Sequence, residues 1–382
     1  MDIRQTNDPF ELTSGFYPIH PQELRPVRNP HYPLSNPYIA MSKFDLLRQT
    51  FLGNLGDTIP ISVWKHHPNT DRTPEGLAEE EIAFHRQFNH DLLKISFHGR
   101  YPVVDWGCEA VYDGAISGST TCKNCVVREA SDWEVLEPLD VSNGEFGRQV
   151  RAVQLIHRYA QDKVPTMATV FDPAMVAEKL SEKPLTDYME NDPDVLETVL
   201  EMITNVMVDF GRATIEAGAD GVFLASQHST HSTVTEEQYQ RFIYPYDLKL
   251  ISKLRGKAKF AVMHLHAKEE NEEIRFEKIA HTPGLDAINW EDQSVELSLA
   301  DGKRISRKTV LGGIDHNGVL RSGTLDDVKE QVFEATREAG LKNLIIAPGC
   351  VITVDTPEEN ITAVVDAIRS IVPWAKEWEA YS

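Results

Sequence analysis

From residue 42 onward, short apolar runs of strand length alternate with longer stretches in which apolar residues recur at helical spacing. Phe44, Leu46, Leu47 and Phe51 follow Ser42, a residue type that caps helices, so the pattern predicts a short amphipathic helix there. Strands are predicted at 59–64, 92–97, 166–171, 221–225, 259–267, 286–290, 309–314 and 344–347. Helical periodicity occupies 75–90, 146–161, 195–217, 236–254, 274–280, 324–339 and 357–371. Eight short, continuously apolar strands alternating with helices predict an α/β protein, a closed (β/α)8 TIM barrel whose parallel strands are covered on both faces. An open doubly wound sheet would place a glycine-rich turn after its first strand, where this chain has Trp64-Lys65-His66-His67-Pro68.

Two stretches fall outside the alternation. Residues 1–41 are rich in Pro, Asn and His without a sustained period and read as an irregular N-terminal arm, leaving 42–382 for the barrel. Residues 99–142 are dense in Gly, Ser, Thr and Asp, and a connection of that length suits a lid or an interaction surface. Within it Cys122 and Cys125 form a single Cys-x-x-Cys, read here as two reduced thiols in a loop rather than half a zinc knuckle or a redox pair.

The polar residues that end the strands carry the candidate chemistry, because such barrels build their sites at the C-terminal ends of the strands. The fifth strand ends in His264-Leu265-His266, whose imidazoles at i and i+2 share one face, roughly 6–7 Å apart. They suit one metal ion or one polar substrate. Cys350, after the eighth strand, is their natural partner. Imidazole and thiolate suit zinc, and three protein ligands with an open fourth position are the pattern of a catalytic site. The bland alternatives are packed imidazoles hydrogen-bonded to their neighbours and a buried free thiol. Asp315, His316, Glu291 and His228 are candidate catalytic groups by location, and Trp64, Lys65, His66, His98, Asp172 and Gln227 are candidate substrate contacts.

Charge and composition narrow the partners. The formal net charge of −21 disfavours nucleic acid and an anionic membrane surface. No apolar run reaches the roughly 18–20 residues of a membrane helix, and no signal peptide is visible. Four cysteines in 382 residues are too few for a disulfide framework, so a reducing cytoplasm is expected. The proline-rich arm suits a homodimer.

The last forty residues contain Pro348-Gly349-Cys350 and then Thr356-Pro357-Glu358-Glu359-Asn360-Ile361-Thr362-Ala363. This resembles the C-terminal signature of the uroporphyrinogen decarboxylase-like superfamily. Ala217-Gly218-Ala219-Asp220-Gly221, Phe242-Ile243-Tyr244-Pro245-Tyr246 and Gly312-Gly313-Ile314-Asp315 resemble it further upstream. The resemblance independently implies the barrel. The superfamily's decarboxylases carry arginines after strand one and a His after the strand-eight glycine, whereas this chain has Trp64 to Pro68 and Cys350 at those places. Its zinc-dependent methyltransferases, which exchange methyl groups between a corrinoid protein and an acceptor, carry His-x-Cys on strand five and a Cys after strand eight. His264 and Cys350 match that pattern, and His266 departs from it.

A thiolate-to-imidazole change removes a negative charge and favours an oxygen ligand over a thiolate substrate. The resemblance therefore implies a methyltransferase-like enzyme with zinc at His264, His266 and Cys350, a small-molecule substrate and a corrinoid carrier protein. The alternatives are a metal-free decarboxylase of a small carboxylate or tetrapyrrole-like substrate, and a non-catalytic corrinoid or tetrapyrrole binder. Barrel hydrolases also use His-x-His, but after the first strand and with an Asp after the eighth.

Overall fold

The computed structural model describes residues 41–267 and 270–379, so all but the last residue of the expected arm lies outside the described residues. Among these, nine strands form: β1 (Leu93–Ile95), β2 (Glu109–Val111), β3 (Thr121–Asn124), β4 (Thr166–Phe171), β5 (Gly221–Ser226), β6 (Phe260–Leu265), β7 (Ala287–Trp290), β8 (Thr309–Ile314) and β9 (Leu344–Pro348). β2 and β3 make an antiparallel hairpin, and the other seven form one sheet in chain order, parallel throughout. All seven are buried along their length, as apolar runs in a sheet covered by helices must be.

The segment expected as the first strand fills the remaining gap between β9 and β1. Ile61 bridges Ile346 in parallel; Ser62 N–H donates to Ile346 O and Ile346 N–H to Pro60 O, both at 2.9 Å. On the other side, Asp91 N–H donates to Ile61 O at 2.7 Å. The pairing is a bridge rather than a ladder for two reasons. Pro60 has no N–H, and Ile61 N–H is taken by the Asp91 carboxylate at 3.1 Å. The sheet thereby closes into a (β/α)8 barrel, with this segment as its seam.

Helices form where capping and spacing agree. Thr73 accepts from Gly76 N–H to start Pro74–Phe88, and Asn89, left-handed at φ 50°, ends it. The single helix expected over 236–254 is broken into Glu236–Gln238, a π-helical turn Tyr239–Ile243, and Tyr244–Leu254. Pro245 has no N–H for the carbonyl one turn back, and the wider turn absorbs the missing bond. The stretch expected as irregular holds the β2–β3 hairpin and two short helices, Tyr101–Val104 and Ala130–Glu134. Its strands are three and four residues long, too short to show a period. Short helices Pro173–Leu180, Leu185–Asn191 and Leu299–Ser306 also escape the sequence pattern. No helix among the described residues is long and apolar enough to cross a membrane.

Candidate functional site

His264, His266, Glu291 and Cys350 offer ligand atoms that all lie within 4.8 Å of one another. β6 carries His264, with His266 just beyond it; Glu291 directly follows β7, and Cys350 follows β9. The four thus meet at the C-terminal mouth of the barrel. Gly349 makes this approach possible, since a Cβ there would lie 2.8 Å from the Glu291 Cα. Cys350 Sγ is 3.6 Å from His264 Nε2, close to the roughly 3.5 Å that separates sulfur and nitrogen ligands on one tetrahedral zinc.

Asn289 fixes the orientation of His264, which it faces in register across β6 and β7. Its side-chain N–H groups donate to the carbonyls of Leu311 and Pro348, each at 3.1 Å. Its Oδ1 must therefore accept, and it lies 2.7 Å from His264 Nδ1. The proton belongs on Nδ1, leaving the Nε2 lone pair aimed at Cys350. Burial, reinforced by His266, pushes His264 well below the usual imidazole range, so its ring is neutral as a metal ligand must be.

His266 behaves differently. Burial lowers it, but the neighbouring Cys350 and Glu291 outweigh burial and raise it to about 10. Its Nδ1 stands 2.6 Å from Glu291 Oε1, yet both atoms are buried without an aligned hydrogen-bond partner among the described residues. The two form an ion pair rather than a well-formed hydrogen bond. An orphaned imidazole nitrogen and an orphaned carboxylate oxygen, beside a soft thiol and a correctly protonated imidazole, fit a zinc-class ion. An incoming cation would take the place of the proton on His266.

Behind His264 the barrel interior is aromatic. Phe223 stacks on its ring at 5.3 Å, and buried Trp64 meets Phe223 edge-on at 5.5 Å. Lys94 lies over the same rings, 4.7 Å from Phe223 and 5.5 Å from Trp64. Burial lowers Lys94 to about 8, against the opposing charges of Glu81 and Cys350. It also raises Glu81 to about 7. Ser96 links the two, its N–H donating to Glu81 at 2.8 Å and its hydroxyl lying 3.4 Å from Lys94 Nζ. Sequence reasoning missed this pair, although a lysine inside an otherwise apolar strand was the available signal.

Other candidates are held in local structure. Asp315 accepts from the N–H groups of Asn317 and Gly318 at 3.1 and 2.9 Å and so shapes its own turn. Asp172 caps helix Pro173–Leu180 through Met175 N–H at 2.6 Å; burial raises its pKa, and its Oδ2 has no partner among the described residues. His228 Nε2 is 3.7 Å from Glu178. His98 donates to Glu145 at 3.0 Å, away from the ligand group, in a cluster with Gln149 and Arg148. Lys65 covers the Phe84 ring at 5.4 Å, Gln227 is half-buried just beyond β5, and burial holds His66 down at about 3. His316 is buried with its Nε2 3.0 Å from the Asn317 amide. Burial lowers it, while Glu291 and Asp315 pull the other way and His266 adds to the lowering.

The profile of a family described as Uroporphyrinogen decarboxylase (URO-D) matches residues 63–371. The methylcobamide:CoM methyltransferase MtbA of Methanosarcina mazei is 20% identical over 303 residues, 79% of this chain and 86% of its own. A uroporphyrinogen decarboxylase of Solibacter usitatus is 24% identical over 255 residues, 65% of this chain and 70% of its own. Among solved structures, a methyltransferase from Methanosarcina mazei superposes with a TM-score of 0.75 at 20% identity, covering 86% of this chain and 98% of that one.

Proposed function

The chain belongs to the uroporphyrinogen decarboxylase family, and from that premise we propose that it is a zinc-dependent enzyme of methyl transfer. It moves a methyl group between a corrinoid, carried by a partner protein, and a small acceptor. The observation that carries this reading is the convergence of His264, His266, Glu291 and Cys350 within 4.8 Å, in a chain similar to a methylcobamide:CoM methyltransferase. Zinc held by His264, His266 and Cys350, with Glu291 beside it, would keep its fourth position open for the acceptor and supply the Lewis acidity that lowers the pKa of the acceptor's thiol or hydroxyl.

The chain's own residues do the rest. Asn289 and Phe223 hold the His264 ring in one orientation. Glu291 restores the negative charge lost where the methyltransferase pattern has Cys and this chain has His266. Its carboxylate takes the acceptor's proton. Lys94 and Glu81, with pKa values brought together near neutrality, hold a second exchangeable proton under the site. Trp64 and Phe223 keep water from that side. The same reading places the protein in a reducing cytoplasm, where Cys350 stays a thiol, and as a homodimer, which light scattering tests.

The assay is demethylation of free methylcobalamin by the zinc-loaded protein, followed by absorbance, with coenzyme M and a panel of thiol and hydroxyl acceptors. Zinc-dependent turnover is expected. A purified protein without stoichiometric metal and without turnover of any pair overturns the reading. A metal-free decarboxylase is the second reading, favoured by Lys94, a buried cation able to seat one carboxylate. Release of carbon dioxide by metal-free protein selects it.

A further inference from the structure

Three of the four cysteines lie outside this centre, and the fold brings them to one point. Cys108 directly precedes β2, Cys122 lies in β3, and Cys125 directly follows it; their sulfurs all lie within 4.8 Å of one another. Cys108 and Cys125 are buried and Cys122 is half-buried. Cys122 and Cys125 are joined as a disulfide, with Cys108 a free thiol beside them. A cross-link needs two sulfurs, so it leaves the third unexplained. A thiophilic ion explains all three, since sulfur ligands on one tetrahedral zinc are roughly 3.7–3.8 Å apart.

The surroundings suit such an ion. Three thiolates on a divalent cation carry net charge −1, which the half-buried Arg100 guanidinium beside Cys108 would offset. Arg100 also donates to the carbonyls of Thr120 and Lys179 at 3.2 and 3.0 Å, tying the hairpin to the barrel wall. A two-stranded hairpin is marginal without such support. Its connection also matters to the mouth. Val354 N–H donates to Ile116 O at 2.8 Å, and Gly118, at φ +73°, comes so close that a Cβ there would lie 2.7 Å from the His66 Cβ. The hairpin is therefore packed against the segments that follow both the seam and β9.

We propose that Cys108, Cys122 and Cys125, when reduced, bind one zinc-class divalent ion at a second metal site that pins the β2–β3 hairpin beside the barrel mouth. A low-molecular-weight thiol reductant supplies the two electrons and two protons that open the Cys122–Cys125 bond. The ion then displaces the three thiol protons, and water takes the fourth position, since no other His, Cys, Asp or Glu among the described residues joins the group.

The test uses the full chain, reduced anaerobically, loaded with zinc, desalted and analysed by elemental mass spectrometry. Wild type should retain two zinc ions per chain, and Cys350→Ser, Cys108→Ser and Cys122→Ser one each. With cobalt in place of zinc, Cys350→Ser should keep about three-quarters of the sulfur-to-cobalt absorbance, having three of four thiolates. A Cys350→Ser result matching wild type, with metal still lost from Cys108→Ser, would count against the methyl-transfer centre and leave this site standing. Should a serine variant fail to fold, alkylation of wild type decides: zinc should slow labelling of Cys108, Cys122 and Cys125 at least tenfold. Unchanged metal content in the Cys108 and Cys122 variants, or equal labelling rates with and without zinc, overturns the proposal.

Discussion

Asn289 Oδ1 receives the Nδ1–H of His264 at 2.7 Å, and that single bond decides which imidazole nitrogen faces Cys350. Partners of this kind raise ligand basicity and lock the ring. Asn289→Ala should weaken zinc binding about 10- to 100-fold, measured by competition with a chromophoric chelator. Wild-type affinity in the variant would mean that another group orients the ring.

Cys350→Ser and His264→Ala should each strip the ion and abolish turnover. The barrel should nevertheless survive, because its seven strands are buried against apolar side chains that owe nothing to the metal. Circular dichroism should show an unchanged spectrum and a melting temperature within about 3 °C of wild type, the shift roughly 1–2 kcal/mol causes in a domain this large. Unfolded variants would make the centre structural rather than catalytic.

Lys94→Met keeps the length and bulk of the side chain over Phe223 and Trp64 while removing its proton. If Lys94 and Glu81 move a proton for the reaction, kcat should fall by about 10²- to 10⁴-fold. Zinc content should stay at the wild-type value, since Lys94 is not a ligand. Loss of both together would instead assign it a role in building the site.

Asp71 is buried with neither carboxylate oxygen hydrogen-bonded among the described residues, and burial raises it to about 7. Its folded value therefore exceeds its unfolded value of about 3.9. The stabilisation this group gives is fully present below pH about 3.9 and is lost as pH rises through about 7. Unfolding free energies from urea titration should accordingly fall between pH 5 and pH 8 in wild type, by an amount on the order of 2–3 kcal/mol. Asp71→Asn should flatten that decline, and an unchanged slope would locate the titration elsewhere.

The barrel was legible in the sequence because parallel strands buried on both faces leave continuous apolar runs, and those of β4 through β9 stand out even in a single chain. His264, His266 and Cys350 were legible by residue type and by their places at strand ends. What periodicity cannot tell is which residues meet after the sheet curls. Glu291, read as an acid–base group because it follows a strand, lies among those three. Asn289 was visible as a polar residue, but its role depends on β6 and β7 pairing in register. The β2–β3 hairpin was illegible for a different reason, since its strands are short and largely exposed. Without it, Cys108 had no visible connection to Cys122 and Cys125.

The seam at Pro60–Ser62 gives the barrel a clasp. Every other junction in the ring is a run of paired residues, three to six long, whereas this one closes through a handful of bonds around Ile61. Local opening free energy rises with the number of bonds that must break together, so amide exchange should be fastest here among the barrel walls. The clasp carries Trp64 and Lys65 at its end, the first edge-on to Phe223 and the second over the Phe84 ring. One side of the mouth is thus compliant, and because the seam pairs with β9, any opening there reaches Cys350 before it reaches the histidines on the opposite side.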